Sequence, residues 1–238
     1  MDRRLTIVTG GGRGIGAAIC RKLASCGHDI VFSYRADEQR ARKTAESVIS
    51  HGVRCLAVQG DVSVASDVDA LFEAAASMGE ITGLVNNAGI VGPTGRLTEV
   101  DPGAFARVYE VNVLGTLLCC RRFALAGSAG AIVNLSSAAA TRGSAGEYVW
   151  YAGAKAAVET ITLGLARELA PAIRVNCVAP GIVWTEIHAD PQRPARLASQ
   201  IPLGRAGEPD EISGAVAWLL SAEASYTTGA TLRVTGGL

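Results

Sequence analysis

Leu5-Thr6-Ile7-Val8-Thr9-Gly10-Gly11-Gly12-Arg13-Gly14-Ile15-Gly16 is a short apolar run that breaks into glycines. Ala17, Ile19, Leu23 and Ala24 follow at helical spacing. Strand, glycine turn and helix, in that order, form the context a dinucleotide-binding turn requires. Glycines let the backbone approach a pyrophosphate, and the helix N-terminus aims amide donors and a positive dipole end at it. Gly12-x-Gly14-x-x-Ala17 satisfies the G/A form of the fingerprint, and Thr9-Gly10-x-x-x-Gly14-x-Gly16 describes the stretch better. A glycine-rich β-turn with no ligand is the alternative.

The same alternation repeats to the end of the chain. Apolar runs at 29–33, 54–58, 83–85, 131–135, 173–178 and 231–235 read as further strands. Helical patterns fall between them, over 37–51, 66–78, 102–126, 151–170 and 208–221. Continuous apolar strands with intervening helices mean a parallel sheet covered on both faces. The predicted fold is α/β: a single-domain, Rossmann-type, doubly wound sheet of about seven strands spanning 1–238. No repeat or linker divides it. The stretches 138–149 and 184–202 read as loops, and the second is long enough to be a substrate loop.

Ligands of such sheets bind outside the carboxyl ends of the strands. Gly10 to Gly16, Asp61, Asn86-Asn87-Ala88-Gly89, Ser136-Ser137 and Pro180-Gly181 all fall just after a predicted strand. Asn112 lies inside a predicted helix in the apolar company of Val111, Val113 and Leu114, where a buried amide needs partners. At the end of the second strand an acidic residue would bind the ribose hydroxyls of NAD. Ser33 stands there, followed by Tyr34 and Arg35. Arg35, with Arg13 from the glycine turn, can hold a 2′-phosphate, which predicts NADP(H) over NAD(H). The counter-reading gives the acidic role to Asp37.

Tyr151-Ala152-Gly153-Ala154-Lys155 places a phenol and an ammonium on one helix face. A cation about 4 Å from a phenol, at an effective dielectric of about 20, favours the phenolate by roughly 4 kcal/mol. That is on the order of 3 pKa units, enough to bring a tyrosine into range for proton transfer. Tyr148 is a rival phenol, but the residue one turn on from it is Ala152. It reads instead as a substrate-side wall, together with Trp150.

Composition narrows the class. Of 238 residues, 49% are hydrophobic and 18% charged, with mean hydropathy +0.26, as in a compact globular chain. Lys+Arg and Asp+Glu both number 22, which gives no footprint for nucleic acid or a membrane surface. The six cysteines form no Cys-x-x-Cys and no metal spacing. They read as buried small hydrophobes in a reducing compartment, so the expected location is cytoplasmic. No metal is expected.

Taken together, Thr9-Gly10-x-x-x-Gly14-x-Gly16, Asp61, Asn86-Asn87-Ala88-Gly89, Asn112, Ser137, Tyr151-x-x-x-Lys155 and Pro180-Gly181 followed by Thr185 closely resemble the short-chain dehydrogenase/reductase family over essentially the whole chain. The resemblance is to bacterial sugar dehydrogenase-like and 3-oxoacyl-carrier-protein reductase-like members. It implies hydride transfer between NADP(H) and a carbonyl or secondary alcohol. Tyr151 would be general acid in reduction and base in oxidation. Lys155 would lower the phenol pKa and bind the nicotinamide ribose, and Ser137 would bond the substrate oxygen. Asn112 would order a water between Lys155 and solvent. Gly10 to Gly16, with Ile15 among them, would hold the pyrophosphate, and Asp61 and Val62 would meet the adenine. Asn87, Ala88 and Gly89 would line the cofactor, with Pro180, Gly181 and Thr185 near the nicotinamide. Ser137 and Tyr151 are 14 apart, one more than the commonest family spacing, so Ser136 could share the role of Ser137.

The resemblance also implies a homotetramer or homodimer, packed through the Asn112 and Tyr151 helices and the last helix and strand. In the 184–202 loop, Glu186, His188, Asp190, Arg193 and Arg196 argue for a polar or charged small-molecule substrate. Two other readings stand. A catalytically idle NADP(H) sensor would need only the glycine turn. A sugar-nucleotide epimerase would need an extra substrate domain, for which the chain leaves little room.

Overall fold

The computed structural model describes residues 4–187 and 190–238; His188 lies outside them. Strands β1 (Leu5–Val8), β2 (Asp29–Tyr34), β3 (Cys55–Gln59), β4 (Ile81–Asn86), β5 (Gly130–Leu135), β6 (Ile173–Pro180) and β7 (Thr231–Val234) pair in parallel in the order β3-β2-β1-β4-β5-β6-β7. Helices α1 (Gly14–Ser25), α2 (Glu38–Ile49), α3 (Ala65–Ala76), α4 (Pro102–Tyr109), α5 (Gly115–Leu125), α6 (Ala139–Arg142), α7 (Val149–Glu168), α8 (Arg193–Leu197) and α9 (Pro209–Leu220) complete the chain.

The period-two alternation of a strand sends neighbouring side chains to opposite faces. Ile30 and Phe32 join Val8, Leu23 of α1 and Val216 of α9 in one core. Val31 joins Ile7, Leu84 and Ile132 in the other, against Leu71 and Phe72 of α3 and Phe123 of α5. Each fully buried phenylalanine contributes about 1.5–3 kcal/mol by leaving water. Both sheet faces are thereby covered, as the apolar strands predict.

Strand order reverses between β1 and β4, which opens a crevice at their carboxyl ends. Thr9 and Asn87 fasten its two sides. The Asn87 and Ala88 amides each donate to Thr9 Oγ1 at 3.0 Å. Asn87 Nδ2 donates to the carbonyls of Thr9 and Gly10 at 2.9 and 3.0 Å.

Three local expectations are corrected. The helix read over 102–126 is broken by one wide π-turn, Glu110–Leu114, between α4 and α5. Asn112 sits in that turn and donates to the carbonyls of Ile90 and Val108, both at 2.8 Å. A side chain that bonds across to another segment and back along its own helix favours the widened turn. Second, the loop at 138–149 holds α6, closed by Gly143 in the left-handed region. Third, 184–202 is not wholly irregular, since it contains α8 and a 3-10 turn over Ala198–Gln200.

Candidate active site

Two cavities, of about 550 and 420 Å³, meet along the carboxyl edge of the sheet. Ile15, Asn87, Gly89, Thr185 and Ile187 line both, so they form one cleft. The smaller cavity is walled by Gly10, Arg13, Gly14, Gly16, Tyr34, Arg35, Asp61, Val62 and Ala88. Gly14 opens α1 with φ +53°, a conformation that favours glycine. At Gly16 a Cβ would lie 2.2 Å from the Gly10 carbonyl oxygen, so only glycine fits. The first turn of α1 has no side-chain cap and no acidic residue, which leaves its positive end facing the cleft.

Charge gathers at the far end of this cavity. Ser33 ends the buried part of β2, and its hydroxyl accepts from the Gly10 amide at 3.2 Å. Asp37 is spent on α2: its carboxylate accepts from the Arg40 amide at 3.0 Å and pairs with Arg40 Nε at 3.2 Å. Asp61 pairs with Arg107 of α4 and, at 3.4 Å, with Arg35. It also accepts from Ser63, and the net effect of these partners against burial is a carboxyl below its usual range.

Tyr151, Lys155 and Ser137 line the larger cavity, as do Pro180, Gly181 and Thr185. Alanine-rich α7 is a strong helix former, and β5 delivers Ser137 opposite its first turns. Ser136 also lines this cavity, but its hydroxyl is engaged on the far side, 3.1 Å from the Lys155 carbonyl and 2.9 Å from the Glu159 carboxylate. Burial pushes the Tyr151 phenol up to about 12, while the Ser137 hydroxyl, as hydrogen-bond partner, pulls the other way. Burial also lowers Lys155 to about 8. The Lys155 ammonium donates to the Leu135 carbonyl at 2.8 Å and lies 5.8 Å from the centre of the Tyr151 ring. The expected lowering of the phenol by its lysine is absent from the protein alone. Within the protein alone, desolvation outweighs a cation that is directed at Leu135.

Asn112 lines neither cavity. It lies behind Gly89, fully buried, and its Oδ1 has no hydrogen-bond partner. Tyr148 walls the larger cavity as expected, but Trp150 does not. Its ring stacks on Phe105 at 4.8 Å and its Nε1 donates to the Val91 carbonyl. Residues that the sequence reading passed over also line the cleft. Arg40 and Arg107 are in the smaller cavity, and Arg142, Glu147 and Leu197 are in the larger. Arg40, in the first turn of the helix after β2, could have been found by position; Arg107 and Glu147 gave no signal.

The residues present fit a dinucleotide: a glycine-rich turn with no room for a Cβ at Gly16, an uncapped helix end and a continuous cleft, with a buried, unpartnered amide oxygen behind Gly89. No cluster of His, Cys, Asp or Glu able to hold a metal occurs among the described residues, and no helix there is long and apolar enough to cross a membrane.

A family model described as enoyl-(acyl carrier protein) reductase matches residues 10–238. The uncharacterized oxidoreductase YgfF of Escherichia coli (strain K12) is 41% identical over 98% of this chain and 99% of its own. The structure of a short-chain dehydrogenase/reductase from Serratia marcescens superposes with a TM-score of 0.93 at 36% identity, covering 98% of this chain and 97% of that one. A blue fluorescent protein from a metagenomic library, solved in complex with NADPH, gives 0.92 at 35% identity, with 98% and 97% covered. The chain belongs to the short-chain dehydrogenase/reductase family, as an oxidoreductase of carbonyl or alcohol substrates that uses NAD(P)(H).

Proposed function

We propose that the chain is an NADP(H)-dependent carbonyl reductase or secondary-alcohol dehydrogenase whose proton donor and acceptor is Tyr151. One observation carries this reading: Tyr151, Ser137 and Lys155 share the wall of the larger cavity where it meets the glycine-lined cleft. The bound cofactor would supply or accept the hydride. At neutral pH the Tyr151 phenol carries its proton, as a donor to a carbonyl oxygen must. Ser137 would hold that oxygen beside the phenol. Lys155, charged below about pH 8, would hold the ribose and favour the phenolate left behind. Asn112 Oδ1 would order a water that links Lys155 to solvent, the source of the proton that restores the phenol.

Gly10, Gly14, Ile15 and Gly16 would hold the pyrophosphate, and Asn87, Ala88, Gly89, Pro180, Gly181 and Thr185 would seat the nicotinamide half. Asp61 and Val62 would meet the adenine. The preference for NADP(H) rests on an uncharged Ser33 and Tyr34 at the end of β2, on Asp37 being committed to Arg40, and on Arg13 and Arg35 facing the same cavity.

We infer a cytoplasmic homotetramer or homodimer, in which one unit carries both cofactor and substrate sites. Exposed Tyr109, Leu114 and Leu117 on the Asn112 segment, Leu163 on α7 and Trp218 on α9 support self-association. A monomer in analytical ultracentrifugation at micromolar concentration would exclude it. The test of function is NADPH consumption against aldehydes, ketoses, diketones and acyl thioesters. Cofactor binding without turnover across that panel would identify a sensor instead.

A further inference from the structure

Glu186 belongs to the segment that walls the substrate cavity, yet its side chain reaches into the cofactor cavity. Its Oε2 pairs with Arg40 Nη1 and lies 3.8 Å from Arg13 Nη1. A single carboxylate oxygen thus faces two guanidinium groups, the arrangement that one oxygen of a phosphate would meet. Arg40 is held ready from behind, because its Nε is fixed by Asp37 at 3.2 Å. The residues on either side of Glu186, Thr185 and Ile187, line both cavities. Glu186 thus ties a wall that the cofactor and the substrate share to the arginines of the cofactor cavity.

We propose that Arg40 joins Arg13 and Arg35 in the seat of the cofactor's 2′-phosphate, that Glu186 competes for this seat, and that NADP(H) but not NAD(H) displaces its side chain and so breaks the tie between residues 184–187 and α2. The proposal rests on the NADP(H) reading above and extends it to two residues outside the family motifs. A phosphate monoester carries up to two charges and three strong acceptor oxygens, and so outcompetes one carboxylate for two guanidinium groups. The ribose hydroxyl of NAD(H) carries no charge and cannot. Cofactor choice and the position of the substrate wall are coupled because one side chain serves both.

The test is binding, read by NADPH and NADH fluorescence titration of the full chain. Glu186→Gln should tighten NADPH about two- to fivefold, the range expected for an exposed ion pair, and leave NADH unchanged. Arg40→Met should weaken NADPH by about tenfold and spare NADH, and in the double variant the gain from Glu186→Gln should shrink. Hydrogen exchange adds an independent readout: 2′,5′-ADP should speed exchange of the 184–187 amides, 5′-AMP should not, and Glu186→Gln should start from the faster rate. Weaker NADPH binding in Glu186→Gln, or equal shifts for both cofactors, would overturn the proposal. A wild-type chain that binds NADH more tightly than NADPH would instead refute the NADP(H) reading, whatever Glu186 does.

Discussion

Asn112 Oδ1 and Lys155 Nζ face the same point, the Cα of Gly89. A Cβ placed there would lie 2.6 Å from the first and 3.3 Å from the second. Both Asn112 N–H donors are committed, to Ile90 and Val108, so the amide cannot swing aside without losing them. Lys155 is equally fixed by Leu135. Gly89→Ala should therefore lower kcat/KM at least tenfold and destabilise the fold by about 1–3 kcal/mol, the usual cost of overpacking. Steady-state kinetics and urea melts check this. Wild-type values in both would show that the amide and the ammonium move freely.

The buried Lys155 makes a prediction about pH. Its folded value of about 8 lies below its ordinary 10.5, so between these limits the unfolded chain binds more protons. Stability contributed by this group must then rise with pH through that window. From pH 7.5 to 9.5 the gain amounts to about 2 kcal/mol by linkage. Lys155→Met should abolish that rise and be as stable as wild type, or more so, at pH 7, while losing turnover. Activity should move the opposite way: kcat/KM for reduction should fall above about pH 8, as the charge on Lys155 is lost. A stability curve of equal slope in Lys155→Met would refute the assignment.

Two tyrosines separate cleanly. Tyr151→Phe should cut kcat by about 10²–10⁴, the range for a lost general acid, with NADPH affinity within twofold. Tyr148→Phe loses one oxygen, which accepts from Arg193 at 2.7 Å and also bonds Glu147. It should keep kcat within about threefold, since substrate positioning rather than proton transfer is touched. Equal losses in the two variants would mean that the proton passes elsewhere.

The sheet was legible because its signal is local. Apolar runs such as Ile30-Val31-Phe32 and the glycines after β1 each announce their own element. The carboxyl-edge rule then gathers Gly10, Asn87, Ser137 and Gly181 without further input. What stayed hidden depends on partners distant in sequence. Arg107 reaches Asp61 across 46 positions, and Arg193 reaches Glu147 across the same span. Spacing placed Lys155 beside Tyr151, but the depth of burial and the pull of Leu135 reverse the expected phenol shift. Helical periodicity could not show the π-turn either, because Asn112 needs the Ile90 carbonyl from another segment to hold it open.

Arg193 gives the substrate side its own test. Its guanidinium bonds Glu147 at 2.9 and 2.7 Å and the Tyr148 hydroxyl at 2.7 Å. It lies 5.5 Å from the Tyr148 ring centre, and its side chain is only 11% exposed. One residue therefore ties α8 to the turn before α7, beside Tyr151, whose ring lies 5.6 Å from that of Tyr148. Arg193→Met keeps the length of the side chain and removes the planar fork that Lys could not replace either. The wall loosens, whereas Ser137, Tyr151 and Lys155 are held by β5 and α7 and stay in place. An interaction that positions substrate equally in ground and transition states appears in KM alone. Arg193→Met should thus raise KM about tenfold or more, with kcat within about threefold and NADPH affinity unchanged. A fall in kcat at constant KM would place Arg193 in the proton-transfer machinery instead.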